Sequence, residues 1–231
     1  MKIKKTGMEH FIAIPDFISL GNMSSGFLSI ICAINNNLNL ATIFIILAII
    51  FDSIDGWTAR KVCRNDIYGF GKNIDSLSDI ISFGVAPAIL LYISGINLHS
   101  PEICLIIVSL FIVICGVLRL TRYNVIADKT EFKGFIGFPI PGIAFILVSY
   151  YLSGLYNIYI AMILMIIVSI LMISNVKYKK LDNIKIIAFA LILILLMFMK
   201  VLIIQNINIA AIILLIITLY YLISNIFKNN N

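Results

Sequence analysis

Four aspartates stand inside long apolar stretches of the chain, where carboxylates are rarely found. Asp52 and Asp55 are three residues apart, and Asp75 and Asp79 are four residues apart. In a helix these spacings place each pair on one face. Inserting a carboxylate at the centre of a membrane costs about 2.5–3.5 kcal/mol of free energy. Four of them together are therefore expected only where a bound partner compensates for that cost. Because the two stretches follow each other along the chain, we expect the four side chains to converge on one site.

We expect divalent cations to bind at this site. Carboxylates at such density repel one another unless a cation lies between them. Ligand sets made only of oxygen suit Mg²⁺, Mn²⁺ or Ca²⁺ and disfavour zinc. Two cations bridged by the four carboxylates would satisfy all of them. The sequence therefore predicts a metal centre with these ligands: Asp52, Asp55, Asp75 and Asp79.

The residues beside the aspartates suit a phosphate group. Gly56 and Ala59 leave one helix face bare, so a bulky ligand can approach the backbone. Arg60 offers a guanidinium fork that matches phosphate oxygens, and Gly71 makes room before the second pair of acids. Two cations, an arginine and small residues together indicate a site for a diphosphate, because paired cations stabilise both the attacking and the leaving oxygen.

Composition indicates that the elements carrying these residues span a membrane. Of the 231 residues, 61% are apolar and 12% charged, whereas soluble domains carry roughly 25% charged residues. The mean hydropathy of +1.08 also excludes a disordered chain, and the net charge of +6 belongs to membrane loops, not to nucleic-acid binding. We expect an all-α polytopic bundle of about eight transmembrane helices, near residues 17–34, 39–58, 75–97, 102–121, 139–156, 158–176, 184–204 and 207–227.

The placement of positive charge predicts the orientation of these spans. Lys and Arg favour cytoplasmic loops, and eight spans put every one of the 17 except Lys200 on one side. Seven or nine spans would break this alternation. Both termini and the acidic site are therefore expected at the cytoplasmic face of the cell membrane. We expect no cleaved signal peptide and no separate soluble domain, so residues 1–231 would form a single membrane domain.

The spacing of the acidic motif resembles the signature of a known family. Its eight positions run Asp52-x-x-Asp55-Gly56-x-x-Ala59-Arg60 and, after ten residues, Gly71-x-x-x-Asp75-x-x-x-Asp79. This pattern is similar to that of the CDP-alcohol phosphotransferases, membrane enzymes that move a phosphoryl-alcohol group from a CDP-linked donor onto an acceptor hydroxyl. The ten-residue gap is slightly longer than is commonest in the family, which lengthens a loop without moving a ligand.

The resemblance implies a role for each position. Asp52, Asp55 and Asp75 would bind the two cations, while Asp79 would bind one of them and act as general base on the acceptor. The family core has six spans, placed here at about residues 14–176, so 177–231 would add two more transmembrane helices. The resemblance also implies a homodimer. Residues implied to hold the CDP moiety are Gly56, Ala59, Arg60, Gly71 and Asn22.

Three further stretches resemble the phosphatidylserine synthase branch of this family. They are the segments 82–87 (Ser-Phe-Gly-Val-Ala-Pro), 119–124 (Arg-Leu-Thr-Arg-Tyr-Asn) and 137–141 (Gly-Phe-Pro-Ile-Pro). In the first span Pro15, Asn22 and Gly26 also match, although Asp16 and Ser19 stand where Asn and Thr are more usual. The branch implies L-serine as the acceptor and a CDP-linked diacyl or isoprenoid ether lipid as the donor.

An arginine pair supports a serine acceptor from the residues themselves. Arg119 and Arg122 are three apart on one helix face, where they could bind the carboxylate of serine, and Tyr123 and Asn124 could donate hydrogen bonds beside them. Two alternatives stay open at this point. The arginines could simply anchor the span, and they would equally suit glycerol 3-phosphate or an inositol phosphate. A cation transporter is a remote third alternative, because no carboxylate lies in the outer half of any span.

Overall fold

The structure is a computed structural model that describes residues 7–62, 69–126, 134–179, 184–199 and 201–228. Within these ranges the side chains at positions 57, 59–62, 184–188, 227 and 228 are outside the description. The described residues are mostly helical, as expected. After a short 3₁₀ turn at Met8–His10, the helices are α1 (Ile14–Ile34), α2 (Leu38–Val62), α3 (Phe70–Asn97), α4 (Glu102–Ile126), α5 (Ile140–Leu152), α6 (Ile158–Ile173), α7 (Ile184–Met199) and α8 (Ile209–Lys228).

Five of these helices, within the part of the chain that is described, are long and apolar enough to cross a membrane. They are α1, α2, α3, α4 and α8. The other three are shorter than the spans expected at 139–156, 158–176 and 184–204, because α5 ends at Leu152, α6 at Ile173 and α7 at Met199. A membrane core of roughly 30 Å needs about 20 helical residues. The eight-span arrangement and the side of the termini therefore stay predictions.

Two small antiparallel sheets among the described residues were not expected from the sequence. Strand β1 (Gly134–Ile136) pairs with β2 (Lys177–Lys179), and β3 (Ile203–Ile204) pairs with β4 (Ile207–Asn208). Strands of two or three residues are too short to show the alternation of apolar and polar residues by which strands are recognised. The β1–β2 sheet joins the segment before α5 to the segment after α6.

Helix α3 changes its winding directly after the second pair of aspartates. Phe70–Asp79 is α-helical, Ile80–Val85 is π-helical, and Ala86–Asn97 is α-helical again with Pro87 in its first turn. Proline has no backbone N–H with which to continue the hydrogen bonds of a helix, and π-helical turns are frequent at functional sites. Within the π-helical segment, the buried Ser82 Oγ donates a 2.9 Å hydrogen bond to the backbone oxygen of Asn22 in α1.

Helix α1 packs against both α2 and α3, and its approach to α3 depends on a glycine. A Cβ atom built on Gly26 would lie 2.6 Å from the backbone Cα of Ser82, which leaves no space for a side chain. By contrast, a Cβ on Gly21 would lie 3.4 Å from the ring of Phe51, an approach that a small shift of the ring can relieve. The contact at Gly26 therefore fixes how α1 is placed beside the acidic end of α3.

Replacing Gly26 by Ala should destabilise the protein by about 1–3 kcal/mol, because extra volume in a tight contact forces the backbones apart. We expect lower activity as well, since α1 carries the partners of two aspartates. Thermal unfolding in detergent measures the first effect. Gly21→Ala is the matched control on the same helix. It should leave stability within about 1 kcal/mol of the parent, because the higher helix propensity of alanine offsets the small shift of the Phe51 ring. Equal losses in both variants would contradict the packing argument.

Candidate active site

Three of the four predicted aspartates form a tight carboxylate cluster. Ligand oxygens of Asp52, Asp75 and Asp79 all lie within 4.8 Å of one another. Asp52 comes from the C-terminal half of α2, while Asp75 and Asp79 come from the first α-helical segment of α3. Asp79 is buried, and the other two are half-buried. The helical spacing thus brings residues from two helices to one point, as the sequence predicts.

The fourth aspartate, Asp55, is held slightly apart from this cluster. It is buried, and one of its carboxylate oxygens accepts a hydrogen bond from the buried hydroxyl of Ser19 in α1. Its charge still interacts with those of Asp52 and Asp75. Asp55 therefore borders the cluster, and Ser19 sets the orientation of its carboxylate.

Asn22 makes the corresponding contact with the aspartate at the centre of the site. Its Nδ2 donates a 3.1 Å hydrogen bond to Asp79 Oδ1, while its own backbone oxygen is bound by Ser82. Ser19 and Asn22 are three residues apart and share one face of α1. The sequence pointed to Asn22 but did not assign a contact to Ser19. The three-residue spacing of Ser19 from Asn22 is the feature of the sequence from which this contact could have been predicted.

Among the residues whose side chains are described, Arg119 brings a positive charge to the carboxylates. Its side chain is 5% exposed, and its charge interacts with those of Asp52, Asp75 and Asp79. The guanidinium carbon lies 5.4 Å from the ring centre of Tyr123. Among the described residues, the buried Nε of Arg119 has no hydrogen-bond partner. A buried guanidinium with an unused donor beside an acidic cluster is suited to bind an anionic substrate group.

Arg122 is engaged elsewhere, at the C-terminal end of α6. Its two terminal nitrogens donate hydrogen bonds of 2.8–3.0 Å to backbone oxygens. Gly137 allows this approach, because its φ is +82° and a Cβ there would lie 2.5 Å from Arg122 Nη2. A cation is favourable at a helix C-terminus, where carbonyl groups are unpaired. The oxygens that Arg122 binds belong to Met172, Ile173 and Ser174 at the end of α6 and to Ile136 in β1.

Removing the Arg122 side chain should therefore weaken the fold. We expect Arg122→Ala to lower the free energy of unfolding by about 2 kcal/mol, because several backbone oxygens lose a charged donor. Thermal unfolding in detergent measures the loss. Lys179→Ala, an exposed cation on the neighbouring strand β2, is the control and should stay within about 0.5 kcal/mol of the parent. If Arg122→Ala unfolds like the control, the hydrogen bonds do not support the fold.

The two residues after Arg122 also have partners in the structure. The Tyr123 ring lies against Arg119, as described above. Asn124 joins α4 to α3, since its Nδ2 donates a 2.9 Å hydrogen bond to Ser76 Oγ and its backbone oxygen accepts one of 2.9 Å from Lys72 Nζ. The four residues predicted to bind the acceptor are thus in two places. Arg119 lies beside the carboxylates with the Tyr123 ring against it, whereas Arg122 and Asn124 make contacts between elements. The acceptor role of all four stays a prediction.

One known protein family matches the region of the chain that carries this site. A family model described as CDP-alcohol phosphatidyltransferase matches residues 12–174, which include every helix that contributes to the site. The chain belongs to the CDP-alcohol phosphatidyltransferase family. This confirms the resemblance found in the sequence. The protein is therefore a transferase, and the remote alternative of a cation transporter is set aside. Together with its apolar helices, membership makes it a multi-pass membrane protein.

Several curated members of the phosphatidyltransferase family are similar to this chain. An archaetidylserine synthase from Methanothermobacter thermautotrophicus is 51% identical over 173 residues, covering 75% of this chain and 72% of the relative. A CDP-diacylglycerol–serine O-phosphatidyltransferase from Methanocaldococcus jannaschii is 42% identical, covering 74% and 76%. An enzyme of the same name from Bacillus subtilis is 35% identical, covering 71% of this chain and 89% of the relative.

The remaining positions of the phosphatidyltransferase signature are Gly56, Ala59, Arg60 and Gly71, of which the structure describes Gly56 and Gly71 fully. Gly56 follows Asp55 by one residue in α2, and Gly71 lies in the first turn of α3. Both are half-buried. The predicted contacts of Ala59 and Arg60 lie outside the described residues, because only the backbone of these two is described, within α2. Their roles in holding CDP stay predictions.

The donors at the carboxylate cluster fit the cations expected of a phosphatidyltransferase. Three carboxylates from two helices offer oxygen ligands alone, the set preferred by Mg²⁺ and Mn²⁺. Arg119 supplies one positive charge against the three negative charges of Asp52, Asp75 and Asp79. Carboxylates this close repel one another in a partly buried site, so a divalent cation would relieve that repulsion.

Proposed function

We propose that the protein transfers the lipid phosphoryl group of a CDP-linked lipid to the hydroxyl of L-serine and releases CMP. The lipid group would be phosphatidyl, or archaetidyl as in the 51% identical relative. The observation that carries the proposal is the buried guanidinium of Arg119 beside the carboxylate cluster. It offers a partner for the carboxylate of an amino acid next to the groups that would handle phosphate.

Two divalent cations, which by the oxygen ligand set would be Mg²⁺, Mn²⁺ or Ca²⁺, would neutralise the diphosphate charge when bound. Asp52, Asp55, Asp75 and Asp79 would hold them. The hydrogen bond from Ser19 would keep the Asp55 carboxylate oriented toward its neighbours. Gly56, Ala59, Arg60 and Gly71 would hold the CDP moiety, together with Asn22.

Asp79 would act as the general base. The 3.1 Å hydrogen bond from Asn22 to Oδ1 restrains this carboxylate and leaves its other oxygen to take a proton. The serine hydroxyl would give its proton to Asp79 while its oxygen forms a bond to the lipid-side phosphorus. The bond from that phosphorus to the oxygen of CMP would break, so CMP leaves with the electron pair. General-base catalysis of this kind contributes about 10²–10⁴-fold in rate.

Arg119 would bind and orient the carboxylate of serine. A guanidinium makes strong, directional hydrogen bonds with a carboxylate, and this one has a buried nitrogen without a partner among the described residues. Holding the acceptor at both its carboxylate and its hydroxyl would fix the attack geometry, and such orientation of two bound reactants lowers the barrier.

We further propose that the site faces the cytoplasm of the cell in the plasma membrane. The bias of Lys and Arg toward one side of the predicted spans supports this orientation, with both termini on that side. Eight spans and a homodimer complete the proposed arrangement, with residues 14–176 as the catalytic core and 177–231 as an addition.

The decisive experiment measures CMP release by the purified protein with Mg²⁺ or Mn²⁺. The donor is CDP-diacylglycerol or its isoprenoid ether counterpart, and the acceptor is L-serine or glycerol 3-phosphate. We expect CMP release with serine and only background release with glycerol 3-phosphate. The better donor identifies the lipid class. Release with glycerol 3-phosphate alone would contradict the serine assignment while leaving the family assignment intact.

A further inference from the structure

Two aromatic rings lie against the guanidinium of Arg119. Its central carbon is 5.4 Å from the ring centre of Tyr123 and 5.6 Å from that of Phe135 in β1. Both distances are within the range of attraction between a cation and an aromatic face, about 6 Å. We call this pair of rings, Tyr123 and Phe135, the aromatic cradle.

The two rings of the aromatic cradle are neighbours of each other as well as of Arg119. Their centres are 6.2 Å apart, so the guanidinium carbon and the two centres form a nearly equilateral triangle. The rings therefore occupy one part of the surroundings of the guanidinium and restrict its position. The charge of Arg119 interacts with Asp52 and Asp79, and its buried Nε has no hydrogen-bond partner among the described residues.

The β1–β2 sheet fixes the Phe135 half of the cradle. Phe135 is paired directly with Tyr178 of β2, and paired residues of an antiparallel sheet project on the same face. The fully buried Tyr178 packs against Tyr221 of α8, with ring centres 5.8 Å apart. Tyr221 Oη also donates a 2.7 Å hydrogen bond to the backbone oxygen of Lys179. Helix α8 thus supports strand β2, which pairs with the strand that carries Phe135.

This support comes from a part of the chain outside the family match. The matched region ends at residue 174, whereas Tyr178 and Tyr221 both follow it. We propose that the aromatic cradle positions the Arg119 guanidinium to bind the carboxylate of the acceptor, with β2 and α8 holding Phe135 in place. The proposal deepens the proposed function and rests on it. Phe135 is a positioning residue here, because it acts through Arg119.

Phe135→Leu tests the cradle directly, because leucine keeps apolar volume against Tyr178 and removes the aromatic face. We expect the KM for serine to rise about fivefold to tenfold, the loss of one cation–aromatic contact. The KM for the CDP-linked lipid and the kcat should change by less than about twofold, and Phe135→Tyr should restore the serine KM. Phe145→Leu is the matched control, a half-buried phenylalanine of α5, and should leave the serine KM unchanged.

Several outcomes would overturn the cradle. An unchanged serine KM in folded Phe135→Leu contradicts it, as does an equal rise in both KM values with a lower Tm, which indicates general loosening. If Phe135→Leu fails to fold, Tyr123→Leu removes the other ring and is expected to raise the serine KM alone. Wild-type protein that uses glycerol 3-phosphate and not serine contradicts the proposed function. A serine-using wild type with unaffected ring variants contradicts only the cradle.

Discussion

Replacing Asp79 by Asn should reduce CMP release by about 10³-fold or more while the protein stays folded. An amide cannot accept the proton of the acceptor hydroxyl, and general-base catalysis is worth about 10²–10⁴-fold. The substitution also removes one of three negative charges that lie within 4.8 Å of one another, and this loss would weaken cation binding. Asparagine keeps an oxygen for the hydrogen bond from Asn22, so the packing of α1 should be preserved. CMP release at saturating serine and lipid measures the effect.

The control for this variant is an acid at the other end of the bundle. Glu102 begins α4 and accepts a 2.8 Å hydrogen bond from the hydroxyl of Tyr92. Glu102→Gln makes the same chemical change and should leave activity within about twofold of the parent. Substantial turnover by Asp79→Asn, with a normal Tm, would contradict the assignment of the base.

Chelation of divalent cations should reduce activity to background, and readdition of Mg²⁺ or Mn²⁺ should restore it. The carboxylates of the cluster repel one another, and the charge of Arg119 offsets only one of theirs. A cation that binds only the folded state adds stability that grows with the logarithm of its free concentration above the Kd, about 2.7 kcal/mol at a hundred times the Kd. The Tm in detergent should therefore rise as Mg²⁺ or Mn²⁺ is titrated into chelated protein.

Asp52→Asn separates a site effect from a general effect of salt. This variant should lose most of the Tm increase caused by Mg²⁺ or Mn²⁺, because it removes one of the three clustered carboxylates. The control Glu102→Gln should keep the full increase. Activity that persists in the chelator, or an equal Tm increase in both variants, would argue against a cation at the cluster.

The acidic site could be predicted from the sequence because its geometry is mostly local. The spacing of Asp52 from Asp55, and of Asp75 from Asp79, fixes each pair on a helix face whatever the rest of the chain does. The contact between Ser19 and Asp55 could not be predicted in this way. It joins residues 36 positions apart and depends on how closely α1 packs, which Gly26 and Ser82 determine.

The acceptor side shows where local spacing is insufficient. Arg119 lies deeper in its predicted span than Arg122, which favours Arg119 for the site, but the sequence does not show that Arg122 binds the end of α6 while Arg119 lies beside the carboxylates. The difference comes from contacts outside α4: β1 lies against Arg119, and the end of α6, 50 residues or more along the chain from Arg122, binds Arg122. Strand β1 is too short to be recognised from its residues, so the position of Phe135 against Arg119 could not be predicted.

The π-helical segment in α3 holds about one residue more than an α-helix with the same number of turns, because its hydrogen bonds run from residue i to residue i+5. Deletion of one residue from Ile80–Val85 should let the segment rewind as α-helix and keep Asp79 in nearly the same rotation relative to Ala86–Asn97. An inserted residue continues the helix by a further turn of about 100°, which would carry Asp79 away from Asn22 and Arg119. The site is therefore expected to tolerate a shorter segment here better than a longer one.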